Sequence, residues 1–87
     1  MILSELLQGV DILESNADLS VEISSVSYDS RQTEPGGLFV AMAGYETDGH
    51  RFIPMAMEKG AACALCQEKP EAGIPYVRTA DSRAALA

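Results

Sequence analysis

The sequence predicts an α/β domain in which helices pack on a small mixed β-sheet. Three observations carry that reading. Two continuous apolar runs, residues 38–43 and 61–66, suit strands covered on both faces. Between them, residues 50–59 place apolar side chains at helical spacing. The whole 87-residue chain alternates as helix, strand, strand, helix, strand, strand, helix.

The first helix is expected over residues 4–10, capped by Ser4 and ended by Gly9, with Leu3, Leu6, Leu7 and Val10 on one face. Residues 11–20 are polar and irregular, with a short strand at 11–14. Residues 21–29 read as a strand. Val21 and Ile23 are in phase with each other, as are Val26 and Tyr28, but the phase flips at Ser24 and Ser25, which predicts a bulge there.

Thr33, Glu34, Pro35, Gly36 and Gly37 form the strongest turn signal. Pro35 fixes φ at one central position, and Gly36 or Gly37 supplies a positive φ. The apolar strand 38–43 follows, then a loop over residues 44–49. The helix 50–59 presents Phe52, Ile53, Ala56 and Met57 on one face and stops at Gly60. Pro54 fits only near a first turn, so residues 48–51 should form a capping or 3-10 turn before the regular helix. A buried strand (61–66), a charged loop (67–73) and a short strand (74–79) come next. Asp81 then caps a run of helix formers that ends at residue 87 without a stop signal, which reads as a domain cut from a longer protein.

Composition narrows the function. Thirteen acids against six bases give a formal charge of −7. Residues 1–30 hold six acids and no Lys or Arg, and the remainder carries −1. With no broad basic face, nucleic acid is not an expected partner. An anionic small molecule would be held locally, by backbone N–H groups, hydroxyls and one or two cations. No apolar run reaches the ~18 residues of a membrane span. The N-terminus is acidic and lacks a basic n-region, so the expected location is the cytoplasm.

Several enzyme signatures are missing. There is no G-x-x-x-x-G-K-[ST] phosphate loop, no G-x-G-x-x-G and no G-x-S-x-G elbow. Cys63 and Cys66 form a lone C-x-x-C. On a strand, positions three apart point to opposite faces, which favours two buried apolar residues over a metal or redox pair. One His and two Cys make a metal cluster improbable. His50 has no visible partner for base catalysis, so a structural role at the helix start, or a contact with a neighbouring domain, is favoured.

Two clusters can carry binding. Tyr28, Asp29, Ser30 and Arg31 gather two hydroxyls, a carboxylate and a guanidinium at the end of a strand. Ser30 can donate to a phosphate oxygen, and Arg31 can fork onto a phosphate or onto Asp29. Local side-chain turns and a surface ion pair explain the same residues about as well. The second cluster, residues 44–50, joins a buried strand to a helix start, where open α/β sheets place ligands. Tyr45 could stack on a planar base; a plain Asp48 cap in a surface loop is the bland alternative. The two clusters lie at either end of strand 38–43 in sequence, and spacing alone leaves their convergence open.

Read together, the motifs resemble a known family. Tyr28-Asp-Ser-Arg, Glu34-Pro-Gly-Gly-Leu-Phe-Val-Ala, Gly44 with Asp48-Gly-His and Phe52-Ile, then Ala56 through Gly60-Ala61, resemble the N-terminal domain of the Mur ligases, most closely the MurE type. Pro75-Tyr-Val, Asp81-Ser-Arg and Ala84-Ala-Leu-Ala continue the match, which runs over residues 20–87. The resemblance implies a small mixed sheet with packed helices, residues 1–87 forming a UDP-sugar-binding domain. It implies a longer ATP- and Mg2+-dependent ligase of peptidoglycan assembly, with central and C-terminal domains. That ligase would join meso-diaminopimelate or L-lysine to a UDP-N-acetylmuramoyl-dipeptide. The 87 residues alone would be inactive and would bind neither ATP nor Mg2+. Substrate-contacting positions of the family fall on Tyr28, Ser30, Tyr45, Glu46 and Thr47, with backbone contacts expected in the loop, and Arg31 is a candidate phosphate contact. A MurF-type ligase, or a non-catalytic module of the same fold, is the alternative.

Overall fold

The two apolar runs become neighbouring strands at the middle of a mixed sheet. The computed structural model describes residues 1–41, 49–70 and 72–80. In them, β1 (Ile12–Ser15), β2 (Val26–Ser27), β3 (Leu38–Val40), β4 (Cys63–Cys66) and β5 (Tyr76–Thr79) are ordered β1-β5-β4-β3-β2. β2 to β5 run parallel, and β1 closes one edge antiparallel to β5. The expected small mixed sheet is therefore present.

Each face of the sheet buries one apolar set. Leu38, Val40, Cys63, Leu65 and Val77 point towards α1 (Leu3–Leu6) and pack with Leu3, Leu7 and Ile23. Phe39, Ala64, Cys66 and Tyr76 point the other way, onto Ile53 and Ala56 of α2 (Ile53–Glu58). All four residues of β4 are 0% exposed, as a strand covered on both sides requires. Cys63 and Cys66 face opposite sides as free thiols. Burial pushes Cys63 up to about 12 and Cys66 up to about 11, so neither is a nucleophile at neutral pH.

Local details differ from the sequence expectation, beginning with α1, which ends at Leu6 and not at Gly9. Ile2, not Ser4, caps α1, and no side chain closes the cap. The helix starts early enough to bury Leu3 and Leu7 four apart, and the Ser4 N–H is taken by Leu19 O at 2.8 Å. β1 spans Ile12–Ser15, and its pairing slips between Ile12 and Glu14, leaving Leu13 as the extra, exposed residue.

The expected strand over 21–29 keeps only Val26–Ser27. Its change of phase is real: Ile23 packs on the α1 side, and Val26, in register with Leu38, faces that side too. The chain makes the slip by leaving the ladder. The Ser24 N–H bonds to Gly36 O at 3.0 Å and the Ser24 Oγ to Pro35 O at 2.9 Å. β3, β4 and β5 are also shorter than the stretches 38–43, 61–66 and 74–79 expected to form them. The end of the predicted strand 38–43, all of the loop 44–49 except Gly49, Glu71 in the charged loop, and the helix expected over 81–87 lie outside the described residues.

The turn before β3 closes through Gly37 N–H to Glu34 O at 2.9 Å, with Pro35 then Gly36 at its centre and Gly36 at φ +79°. It is locked to the end of α2: Gly36 N–H donates to Gly60 O at 2.8 Å, and Ala62 N–H to Gly37 O at 2.8 Å. Gly60 sits at φ +97°, and a Cβ there would approach Pro35 Cα to 3.0 Å. Before α2, Gly49–Phe52 form the expected 3-10 turn, and Pro54 lies in the first turn of the helix, where its missing N–H costs nothing.

Candidate functional site

Because β2 and β3 are parallel, their C-terminal ends lie on the same edge of the sheet. Residues 28–31 follow β2 there. The chain leaves β3 on that edge too, at Ala41, whose N–H donates to Leu65 O at 2.8 Å. The chain thus leaves β2 and β3 at one rim, the kind of edge where ligands of open α/β sheets bind.

The side chains of residues 28–31 divide the work between structure and surface. Asp29 caps the 3-10 turn Ser30–Gln32 by accepting from the Arg31 N–H at 2.9 Å. Arg31 forks back onto the same carboxylate, Nε to Oδ1 at 3.1 Å and Nη2 to Oδ2 at 2.8 Å. Those bonds hold the Asp29 carboxyl below its ordinary value and raise Arg31. Of the two partners the sequence offered Arg31, this structure shows Asp29, with 81% of the arginine side chain still exposed.

Tyr28 is 53% exposed. Ser30 is buried, packed between its own turn and α2, and its Oγ donates to Met55 Sδ at 3.4 Å. A thioether is a weak acceptor, so this hydroxyl is turned to a stronger one at little cost. Behind it, Thr33 Oγ1 lies 3.1 Å from Ser27 Oγ and donates to Asp29 O at 3.5 Å, tying the turn to β2. Tyr45, Glu46 and Thr47 lie outside the described residues.

Sequence reasoning missed Met55. The signal was available: Met55 lies off the Phe52, Ile53, Ala56 and Met57 face, so an exposed methionine had to meet something other than the core. His50 has the structural role. Its Nε2 accepts from the Gln67 N–H at 2.8 Å and the Glu68 N–H at 3.3 Å, pinning the segment after β4 to the start of α2. Among the described residues no three His, Cys, Asp or Glu side chains gather as a metal site. Nor is any helix among them long and apolar enough to cross a membrane.

A family profile described as "Mur ligase family, catalytic domain" matches residues 22–87. The chain belongs to the Mur ligase family. Two relatives, from Chlorobium phaeobacteroides and Bacteroides thetaiotaomicron, are each 45% identical to it, over 100% and 99% of the chain. Both are named UDP-N-acetylmuramoyl-L-alanyl-D-glutamate–2,6-diaminopimelate ligase. The chain spans 18% of the length of each. Among solved structures, a MurF from Acinetobacter baumannii superposes with TM-score 0.78 at 28% identity, covering 97% of this chain and 18% of that one. A MurF ligase from Thermotoga maritima, solved in complex with ADP, superposes with TM-score 0.63 at 28% identity over 67% of this Mur ligase chain and 14% of its own.

Proposed function

We propose that these 87 residues are the substrate-anchoring domain of a MurE-type ligase, holding the UDP end of a UDP-N-acetylmuramoyl-dipeptide. The observation that carries the reading is the 45% identity, across the whole chain, to relatives named for that reaction. Their names favour 2,6-diaminopimelate as the amino acid added. The MurF alternative has structural likeness in its favour, at 28–30% identity. The difference in identity favours the MurE type.

The geometry supports the anchoring role. Exposed Tyr28 offers a ring to a planar base or sugar. Ser30 exchanges its thioether partner for a ligand oxygen. Arg31 keeps Asp29 on two of its nitrogens and offers its remaining N–H groups to a phosphate. Tyr45, Glu46 and Thr47 complete the site, through backbone contacts in particular. An acidic chain can receive an anion this way because the donors are local and aimed. Anchoring a remote nucleotide spends its binding energy on positioning the distant carboxylate for attack.

This chain has no G-x-x-x-x-G-K-[ST] phosphate loop. We assign ATP and Mg2+ to central and C-terminal domains of a longer cytoplasmic enzyme, a reading supported by relatives more than five times the length of this chain. Bound there, ATP would supply the phosphoryl group, and Mg2+ the charge neutralisation, that activate the carboxylate for attack.

Two measurements test the reading. Titrating the chain with UDP should move amide resonances at residues 28–31 and 44–47; movement confined to the Cys63–Cys66 strand, or none at millimolar UDP, overturns it. In the full-length ligase, Ser30→Ala should raise KM for the nucleotide substrate more than it lowers kcat. A loss in kcat alone would place Ser30 at the chemistry instead.

A further inference from the structure

A groove of about 390 Å³ opens on the α2 side of the sheet, between the start of α2 and the segment crossing from β4 to β5. None of its lining residues is among those assigned above to the nucleotide. Its size is that of a small-molecule site. Ile53, which is 2% exposed, Pro54 and the half-buried Ile74 give it an apolar floor. The His50 ring forms a fixed wall, held by the two backbone N–H groups that donate to it.

The charges on its rim are unusual for this chain. Of the five Lys and Arg residues among the described ones, Arg31 and Arg78 are held on Asp29 and Glu14. Arg51 and Lys69 both line this groove, one from each wall. Lys69 Nζ is 4.0 Å from Glu14 Oε2, at the outer limit of an ion pair, and Arg78 Nε already holds Glu14 at 3.2 Å. Turning Lys69 into the groove therefore sacrifices little. Arg51 lies over the Phe52 ring at 5.6 Å, an arrangement that leaves its N–H groups in the guanidinium plane for an acceptor. Glu68 also lines the groove, so the charged side chains among its described lining residues leave one net positive charge in a chain of −7.

We propose that this groove binds a small oxyanion, a phosphate or carboxylate carried on a flat or cyclic body, gripped between Arg51 and Lys69 with the body on Ile53, Pro54 and Ile74. The oxyanion could belong to the nucleotide held at residues 28–31 or to a separate ligand. The recognition chemistry is the same.

The test uses phenyl phosphate as probe and follows amide resonances of the chain. Saturable shifts are expected at Arg51, Ile53, Glu68, Lys69 and Ile74. Arg51→Gln and Lys69→Gln should each weaken binding about three- to five-fold, and Glu68→Gln should tighten it about as much. Lys59→Gln, outside the groove and away from residues 28–31, should leave it unchanged. Shifts elsewhere, or equal affinity in the Arg51→Gln/Lys69→Gln double variant, overturn the proposal. A UDP arm separates the sources. If UDP moves the groove amides and loses affinity in Arg51→Gln, the groove receives the nucleotide's phosphates. If UDP and phenyl phosphate bind side by side, the groove serves another ligand. Either result upholds the anion site. Failure of UDP to bind at residues 28–31 would remove the nucleotide reading and leave the phenyl phosphate result standing.

Discussion

β4 and β2 are separated only by β3, yet they are opposite kinds of strand. β4 has four residues, all buried, with helix or loop on both faces. β2 has two, one exposed and one half-buried, and the chain leaves it at once for the turn that presents Tyr28, Ser30 and Arg31. The comparison teaches where a thin domain places its rigidity. The interior strands take the packing, and the edge strand is short, so the chain leaves the ladder for the turn at which we propose the ligand binds.

The largest effect should come from cutting into the interior member. Leu65→Ala is expected to cost about 2–5 kcal/mol, a large share of the ~5–15 kcal/mol that holds such a domain together. Val26→Ala, at a position 37% exposed, should cost under about 1 kcal/mol. Urea denaturation of the two variants checks the contrast, and equal losses would break it.

A middle-sized effect belongs to Asp29. Its carboxyl is held low by the Arg31 side chain and then the Arg31 backbone N–H. A lowered acid stabilises the fold above its ordinary value of 3.8, and that contribution is lost as pH falls through the lowered value. Asp29→Asn should therefore destabilise at neutral pH, and the difference from wild type should shrink under acid. A thermal-melting series from pH 7 to about 2 reads this out. A constant difference across the series would mean that the carboxylate charge contributes nothing.

The smallest effect is chemical. With both thiols raised to about 11 and 12 and buried, native protein should resist iodoacetamide at pH 7.5 and react fully once unfolded. Rapid native labelling of either cysteine would mean that β4 is less enclosed than its burial states.

These contrasts also explain what was legible in the sequence. Pro54 announced the 3-10 turn before α2, because a proline can enter a helix only in its first turn. The period of two announced the opposed cysteines. The length of β2 was not legible. Ser24 and Ser25 look compatible with a strand, and only the distant Pro35 and Gly36 decide that Ser24 bonds to them instead. The bulge at Leu13 was hidden for a similar reason, since register on an edge belongs to the partner strand. At the site, the Asp29–Arg31 spacing suits an ion pair and a phosphate contact equally, so composition could not choose between them.

The clasp between the Pro35–Gly36 turn and Gly60 sits at the rim of the sheet away from Tyr28 and Ser30, where β3 and β4 begin. Damage to that clasp should erode folding yield while leaving ligand selectivity in the surviving molecules intact. That makes it a natural handle for attenuating such a protein in a cell without altering what it recognises.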